Sequence, residues 1–251
     1  MKPIQSIQRA VRILEVIAQK KNGYKVTEIA KHVELKTTTV HNILSTLCEL
    51  GMAKQVEMKY CLGPKTLQLG SRYLESLTLN EIAYPVVQDL VDEFNESFFI
   101  VTIENHHQFY FLIQIDCNHN VKATRVAADK SASHATAVGK VLLSSFDAQE
   151  LEEFIEENNL LKPFTKNTIT DRDKLIQELE QVRKNGYALD REENDLGIFC
   201  VATPIYDHHK NIIAALGTSI PIQRLSSDFL EDVRIHMLES AYYISSNLGY
   251  V

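Results

Sequence analysis

Apolar positions recur every three or four residues over three stretches near the start of the chain. Ile7, Ala10, Val11, Leu14, Ile17 and Ala18 fall on one side of a first helix. Thr27 suits the N-cap of a second, short helix whose Ile29, Ala30 and Val33 make a narrow apolar face, and Glu34 and Leu35 then form a turn. A third helix follows from about Lys36, with Val40, Leu44 and Leu47 inward, Ile43 and Leu50 flanking, and Gly51 as its stop. Its other face holds Lys36, Thr37, Thr38, Thr39, His41, Asn42 and Ser45. These short or hydrogen-bonding side chains suit a DNA major groove and its phosphates. The pattern then changes to short alternation over residues 53–62, with Lys54 and Lys59 either side of a turn at Glu57 and Met58, which predicts a β-hairpin. Three helices and this hairpin make a winged helix-turn-helix.

Gly63-Pro64 breaks the backbone, and helical spacing resumes over 66–79 as a linker helix. Asn80 is positioned to cap a helix over 81–94. β-Branched and aromatic runs at 98–103 and 109–115 flank a polar loop and read as a hairpin, with a third strand over 121–126. A helix is expected over 133–146, and Asp147 with Glu150 forms a capping box for an acidic helix to residue 158. Thr170 opens a helix that Gly186 ends. Strands follow at 187–190, 198–206 and 212–220, then an amphipathic helix over 227–248. Helices outside an antiparallel sheet of about six strands place the second part in the α+β class. The expected domains are 1–64, a linker helix 65–79, and 80–251.

Charge sharpens this division. Residues 1–64 hold ten Lys+Arg against five Asp+Glu, net +5, whereas the remainder holds 16 against 28, net −12. A basic head on an acidic body fits a polyanion-binding module beside one that repels nucleic acid. The 45% hydrophobic content is enough for two cores. Cys48, Cys61, Cys117 and Cys200 are scattered without CxxC spacing, and no stretch approaches the roughly 18 apolar residues of a membrane span. A soluble, cytoplasmic protein without membrane contact is the expectation.

Taken together, three blocks resemble the IclR-type (isocitrate lyase regulator) family of bacterial transcription factors over essentially the whole chain. They are SIQRAVRILEVIA at 6–18 with the helix-turn-helix and wing, HATAVGKVLL at 134–143, and NGYALDREENDLGIFCVATPIYD at 185–207 continuing into AALGTSIP. The resemblance implies a winged helix for DNA, a GAF-like domain that binds a small effector, often an organic acid, and assembly as a homodimer or homotetramer. It implies a pocket lined by Ala137, Val138, Asp190, Ile198, Cys200 and Ser219. Two positions depart from the family pattern: Asn42 stands where Arg is usual, and Gly217 where a pocket Ser is common.

The amides opening the helix near His134, with the Thr218 and Ser219 hydroxyls, can replace the hydration of a carboxylate, while Val138 and Ile198 supply apolar walls. The crowded acids Asp190, Glu192, Glu193 and Asp195 read as a solvated loop with one pocket-facing Asp rather than a catalytic or metal cluster. Gly139-Lys140 lacks the upstream Gly and following Ser or Thr of a phosphate loop. Cys200 lies in an apolar strand as a small core residue, and the pairs His106-His107 and His208-His209 read as surface turns. No cofactor, metal site or catalytic residue is expected. An enzyme, or a protein-interaction module, carrying a winged-helix appendage are the competing readings.

Overall fold

The computed structural model describes residues 3–76, 78–104, 108–120, 122 and 130–251. The chain divides into two units, Met1–Ser76 and Leu77–Val251.

In the first unit, α1 (Gln5–Ala18), α2 (Val26–His32) and α3 (Thr37–Glu49) enclose Ile13, Ile17, Ile29, Val40 and Leu44, all essentially without solvent exposure. Strands β2 (Ala53–Val56) and β3 (Lys59–Leu62) form the hairpin, and β1 (Tyr24–Lys25), too short to register in the hydrophobic pattern, pairs with β3 to give the order β1-β3-β2. The turn between α2 and α3 rests on Glu34 at φ +55. Two expectations need correction. The short helix opens at Val26 rather than after Thr27, because the Glu28 carboxylate reaches back 2.6 Å to accept from the Lys25 N–H. On α1 the buried stripe runs through Ile13, Val16 and Ile17, while Ile7 and Val11 are exposed, since this helix carries a second apolar face.

Helix α4 (Pro64–Ser76) starts two residues earlier than expected, because Pro is tolerated at the first helical position, where an N–H has no intrahelical partner. Its first turn is tied back to the α3–β2 turn by Lys65 N–H donating to the Gly51 carbonyl at 3.1 Å.

The second unit has one antiparallel sheet of order β5-β4-β8-β7-β6, from β4 (Ser97–Glu104), β5 (Gln108–Ile115), β6 (Ala188–Arg191), β7 (Ile198–Tyr206) and β8 (Ile212–Pro221). The expected strand over 121–126 and the His106-His107 loop lie outside the described residues. Helices α5 (Leu79–Phe94) and α9 (Ser227–Asn247) cover one sheet face over Phe98, Ile100, Val201 and Leu216. Helices α6 (Ala137–Leu143), α7 (Ala148–Glu157) and α8 (Arg172–Asn185) cover the other, over Phe99, Val101, Cys200 and Ala215. Strand alternation assigns each residue of β7 and β8 to one core or the other.

Local caps set the helix ends. Asp147 accepts from the amides of Gln149 and Glu150 at 2.8 Å each, and Glu150 accepts from the Asp147 N–H at 3.0 Å, the expected box. Thr78 rather than Asn80 caps α5, accepting from Glu81 N–H, and Asp171 rather than Thr170 caps α8, accepting from Lys174 N–H. In both places neighbouring residues have capping side chains, and the tertiary path of the chain selects between them.

Candidate functional site

On α3 the inward stripe of Val40, Leu44 and Leu47 is buried, which leaves Thr37, Thr38, His41, Asn42 and Ser45 exposed, with Lys36 at the N-cap. Thr39 is half-buried at the edge of that face. The structure therefore gathers the expected polar side chains on one solvent-facing surface. Lys54 is exposed on β2 and Lys59 half-buried on β3, on the wing.

In the second unit, register decides which of the expected pocket residues meet. Asp190 pairs with Cys200 and Cys200 with Ser219, so these three side chains share the α6 face of the sheet. The Cys200 Sγ and Ser219 Oγ lie 3.2 Å apart. Ile198 lies two residues from Cys200 on the same face, and Ala137 and Val138 of α6 pack into the same core. Thr218 is not brought to them. Being next to Ser219 in an extended strand it points to the opposite face, where its hydroxyl donates to the Ser97 carbonyl at 2.9 Å.

The helix expected over 133–146 is interrupted. Residues Lys130–Ala135 form a 3-10 turn, and α6 begins only after Thr136, whose side chain accepts from the Gly139 N–H at 3.2 Å. A Cβ on Gly139 would stand 2.2 Å from the Ser133 carbonyl oxygen, so this glycine lets the 3-10 turn fold back against the helix. One opening amide is thus satisfied within the chain. His134 is fully buried, its Nε2 3.1 Å from the Lys162 carbonyl, and burial holds its pKa below the ordinary histidine value.

The acidic loop is not simply solvated, and here the sequence reading missed the main feature. Lys140 is fully buried; its ammonium donates to Glu193 Oε1 at 2.6 Å and to the Leu189 carbonyl at 2.9 Å, with Glu178 Oε1 at 3.5 Å. Glu193 is itself 3% exposed. Asp190 Oδ1 accepts from the Glu193 N–H at 2.7 Å, and Thr165 and Thr168 donate to the carbonyls of Glu192 and Glu193. Lys140 thereby pins the loop that follows Asp190. The available signal was a single charged residue within AVGKVLL, since a lysine in an otherwise apolar helix needs a buried partner.

Gly217 also gains a reason. A Cβ there would lie 2.6 Å from Val138 Cγ1 and 2.7 Å from Phe99 Cε2, so these two side chains fill the space a larger residue would occupy.

The matches to known proteins cover both units. Residues 6–57 fit the family model described as the IclR helix-turn-helix domain, and residues 71–246 that of the bacterial transcriptional regulator IclR C-terminal. The transcriptional repressor IclR of Escherichia coli is 28% identical over 249 residues, covering 98% of this chain and 90% of the relative. Among solved structures, Pseudomonas aeruginosa HmgR superposes with a TM-score of 0.83 at 21% identity, covering 98% of this chain and 99% of that one. An IclR homolog from Microbacterium hydrocarbonoxydans, solved in complex with 4-hydroxybenzoate, gives a TM-score of 0.58 at 23% identity, covering 97% and 99%.

Two outcomes follow for stability. Gly217→Ser should cost roughly 1–3 kcal/mol by overpacking, and adding Val138→Ala should restore a substantial part, as measured by urea unfolding. Additive effects of the two substitutions would rule out the contact. Lys140→Met should cost about 3–5 kcal/mol by leaving Glu193 buried without its counter-charge, and Lys140→Met with Glu193→Gln should cost less than the single change. A double variant weaker than Lys140→Met alone would contradict the pairing.

Proposed function

Because this chain belongs to the IclR family of bacterial transcriptional regulators, we propose that it is a repressor whose affinity for its operator is set by a small organic-acid metabolite. The observation that carries the DNA reading is the undivided polar surface of α3, where Lys36, Thr37, Thr38, His41, Asn42 and Ser45 stand over a fully buried apolar stripe. One such helix reads only a few base pairs. A homodimer or homotetramer on a pseudo-palindromic operator doubles the readout, and Lys54 and Lys59 add phosphate contacts from the wing. Where Asn42 replaces the family's usual Arg, a shorter amide suits adenine rather than guanine.

The effector would sit against the sheet face that carries Asp190, Cys200 and Ser219, with Val138 and Ile198 as half-buried apolar walls. The 4-hydroxybenzoate held by the Microbacterium homolog supports an organic anion as the ligand class. Asp190 contributes by shaping the loop, since its Oδ1 already holds the Glu193 amide. A ligand favouring one arrangement of the dimer changes DNA affinity by the difference it makes between the two states, commonly about 1–3 kcal/mol. Helix α4, which follows the wing in the chain, is the natural lever. No described helix is long and apolar enough to cross a membrane, in keeping with a cytoplasmic regulator.

For DNA, His41→Ala or Asn42→Ala should relax preference at particular base pairs, costing about 1–3 kcal/mol on the selected site, whereas Lys54→Ala or Lys59→Ala should weaken all sequences alike. Anisotropy titrations on selected and random duplexes separate the two; equal affinity for both duplexes at every salt concentration would end the sequence-specific reading. For the effector, calorimetric screening of organic and sugar acids against the full chain should find a ligand that Ser219→Ala and Asp190→Ala weaken. Asp190→Asn, which keeps an acceptor for the loop, should weaken it less. A ligand indifferent to all three would place the site elsewhere, and one that leaves operator affinity unchanged would sink the switch.

A further inference from the structure

Between the C-terminal end of α1 and the outer face of the wing lies a cleft of about 540 Å³, lined by Lys20, Lys21, Asn22, Lys54 and Lys59 among others. The hairpin register explains which wing residues reach it. Lys54 pairs with Cys61 and Val56 with Lys59, so these four share one face, while Ala53 and Tyr60 turn into the core. Lys20, Lys21 and Asn22 arrive from the opposite wall, on a turn closed by the Gly23 N–H to the Lys20 carbonyl at 2.8 Å. Gly23 sits at φ +67, and a Cβ on it would lie 2.3 Å from the Tyr60 carbonyl oxygen, so the turn presses directly on β3 and holds its lysines beside the wing.

Four lysines from the turn and the two wing strands thus border one concavity. Among the described residues none has a carboxylate within ion-pair distance; Lys20 instead lies over the Tyr24 ring at 5.1 Å, and Glu57 at the wing turn is the single acid on the lining. Glu28 shares its field with Lys20 and Lys59, yet four lysines against Glu28 and Glu57 leave the cleft net positive, and such a surplus attracts a polyanion. We infer that this cleft holds a backbone phosphate of the DNA duplex, so that Lys20 and Lys21, with Asn22 as a neutral donor, extend the DNA contact beyond the recognition helix and the wing strands. The inference rests on the DNA-binding reading. A phosphodiester presents two non-bridging oxygens, which several point-charge ammonium groups can share from different sides without the fixed fork that arginine needs.

The test uses the full-length protein and a random-sequence duplex of about 30 base pairs, with affinity measured by fluorescence anisotropy between about 50 and 200 mM KCl. Losing one phosphate contact lowers the slope of log affinity against log salt by about 0.9, so the Lys20→Ala, Lys21→Ala double variant should lose up to about 0.9 from the slope. The Lys20→Arg, Lys21→Arg variant should keep it, and Lys184→Ala on α8 should match the wild type. Unchanged thermal melting of the alanine variant assigns the effect to the interface. A wild-type slope in the alanine variant overturns the cleft while leaving DNA binding by α3 and the wing intact. A wild-type protein without salt-dependent DNA affinity overturns both. If polyglutamate binds and the same substitutions abolish that binding with the DNA slope unchanged, the cleft belongs to an acidic protein surface and the phosphate assignment falls.

Discussion

The effector unit depends on one buried ammonium. Taking the Lys140 charge out of water costs several kcal/mol, and the fold offsets that only by bringing Glu193, the Leu189 carbonyl and Glu178 to it. Those partners come from the loop after β6, from β6 itself and from α8, so a single side chain on α6 specifies how three separate segments meet. The loop is then secured from its far side by the Thr165 and Thr168 hydroxyls and from within by Asp190. A polar network of this kind contributes specificity of arrangement more than net stability. It is suited to a site whose walls must keep their shape whether or not a small molecule is present.

Val138 and Phe99 close on Gly217, and the Cys200 and Ser219 side chains stand in contact with each other on neighbouring strands. A sheet face lined in this way offers a hydroxyl, a thiol and apolar walls instead of a dense set of charged donors.

The DNA-binding unit works under the opposite constraint. Its core is small, formed by three helices and a hairpin, and Ile13, Ile29, Val40 and Leu44 are needed together to bury it. Nearly every charged residue is left outside, and the lysines of the wing and the α1–β1 turn collect on one concave surface.

The helix-turn-helix, the wing, the capping box at Asp147 and the strands of the effector sheet could be read directly from residue order, because periods of 3.6 and 2 and local caps are properties of short segments. The polar face of α3 was legible for the same reason: once Val40, Leu44 and Leu47 are inward, geometry puts His41, Asn42 and Ser45 outward. Which of two neighbouring capping residues is used, at Thr78 and Asp171, was not legible, since both choices satisfy local rules. Alternation sets Thr218 and Ser219 on opposite faces, but only the packing of α6 decides which of the two turns toward it. The pairing of Lys140 with Glu193 spans 53 residues, and no periodicity connects positions so far apart. A charge within an apolar helix announces that it needs a partner. Only the tertiary structure, by placing the α8 and β6 segments around it, decides which one.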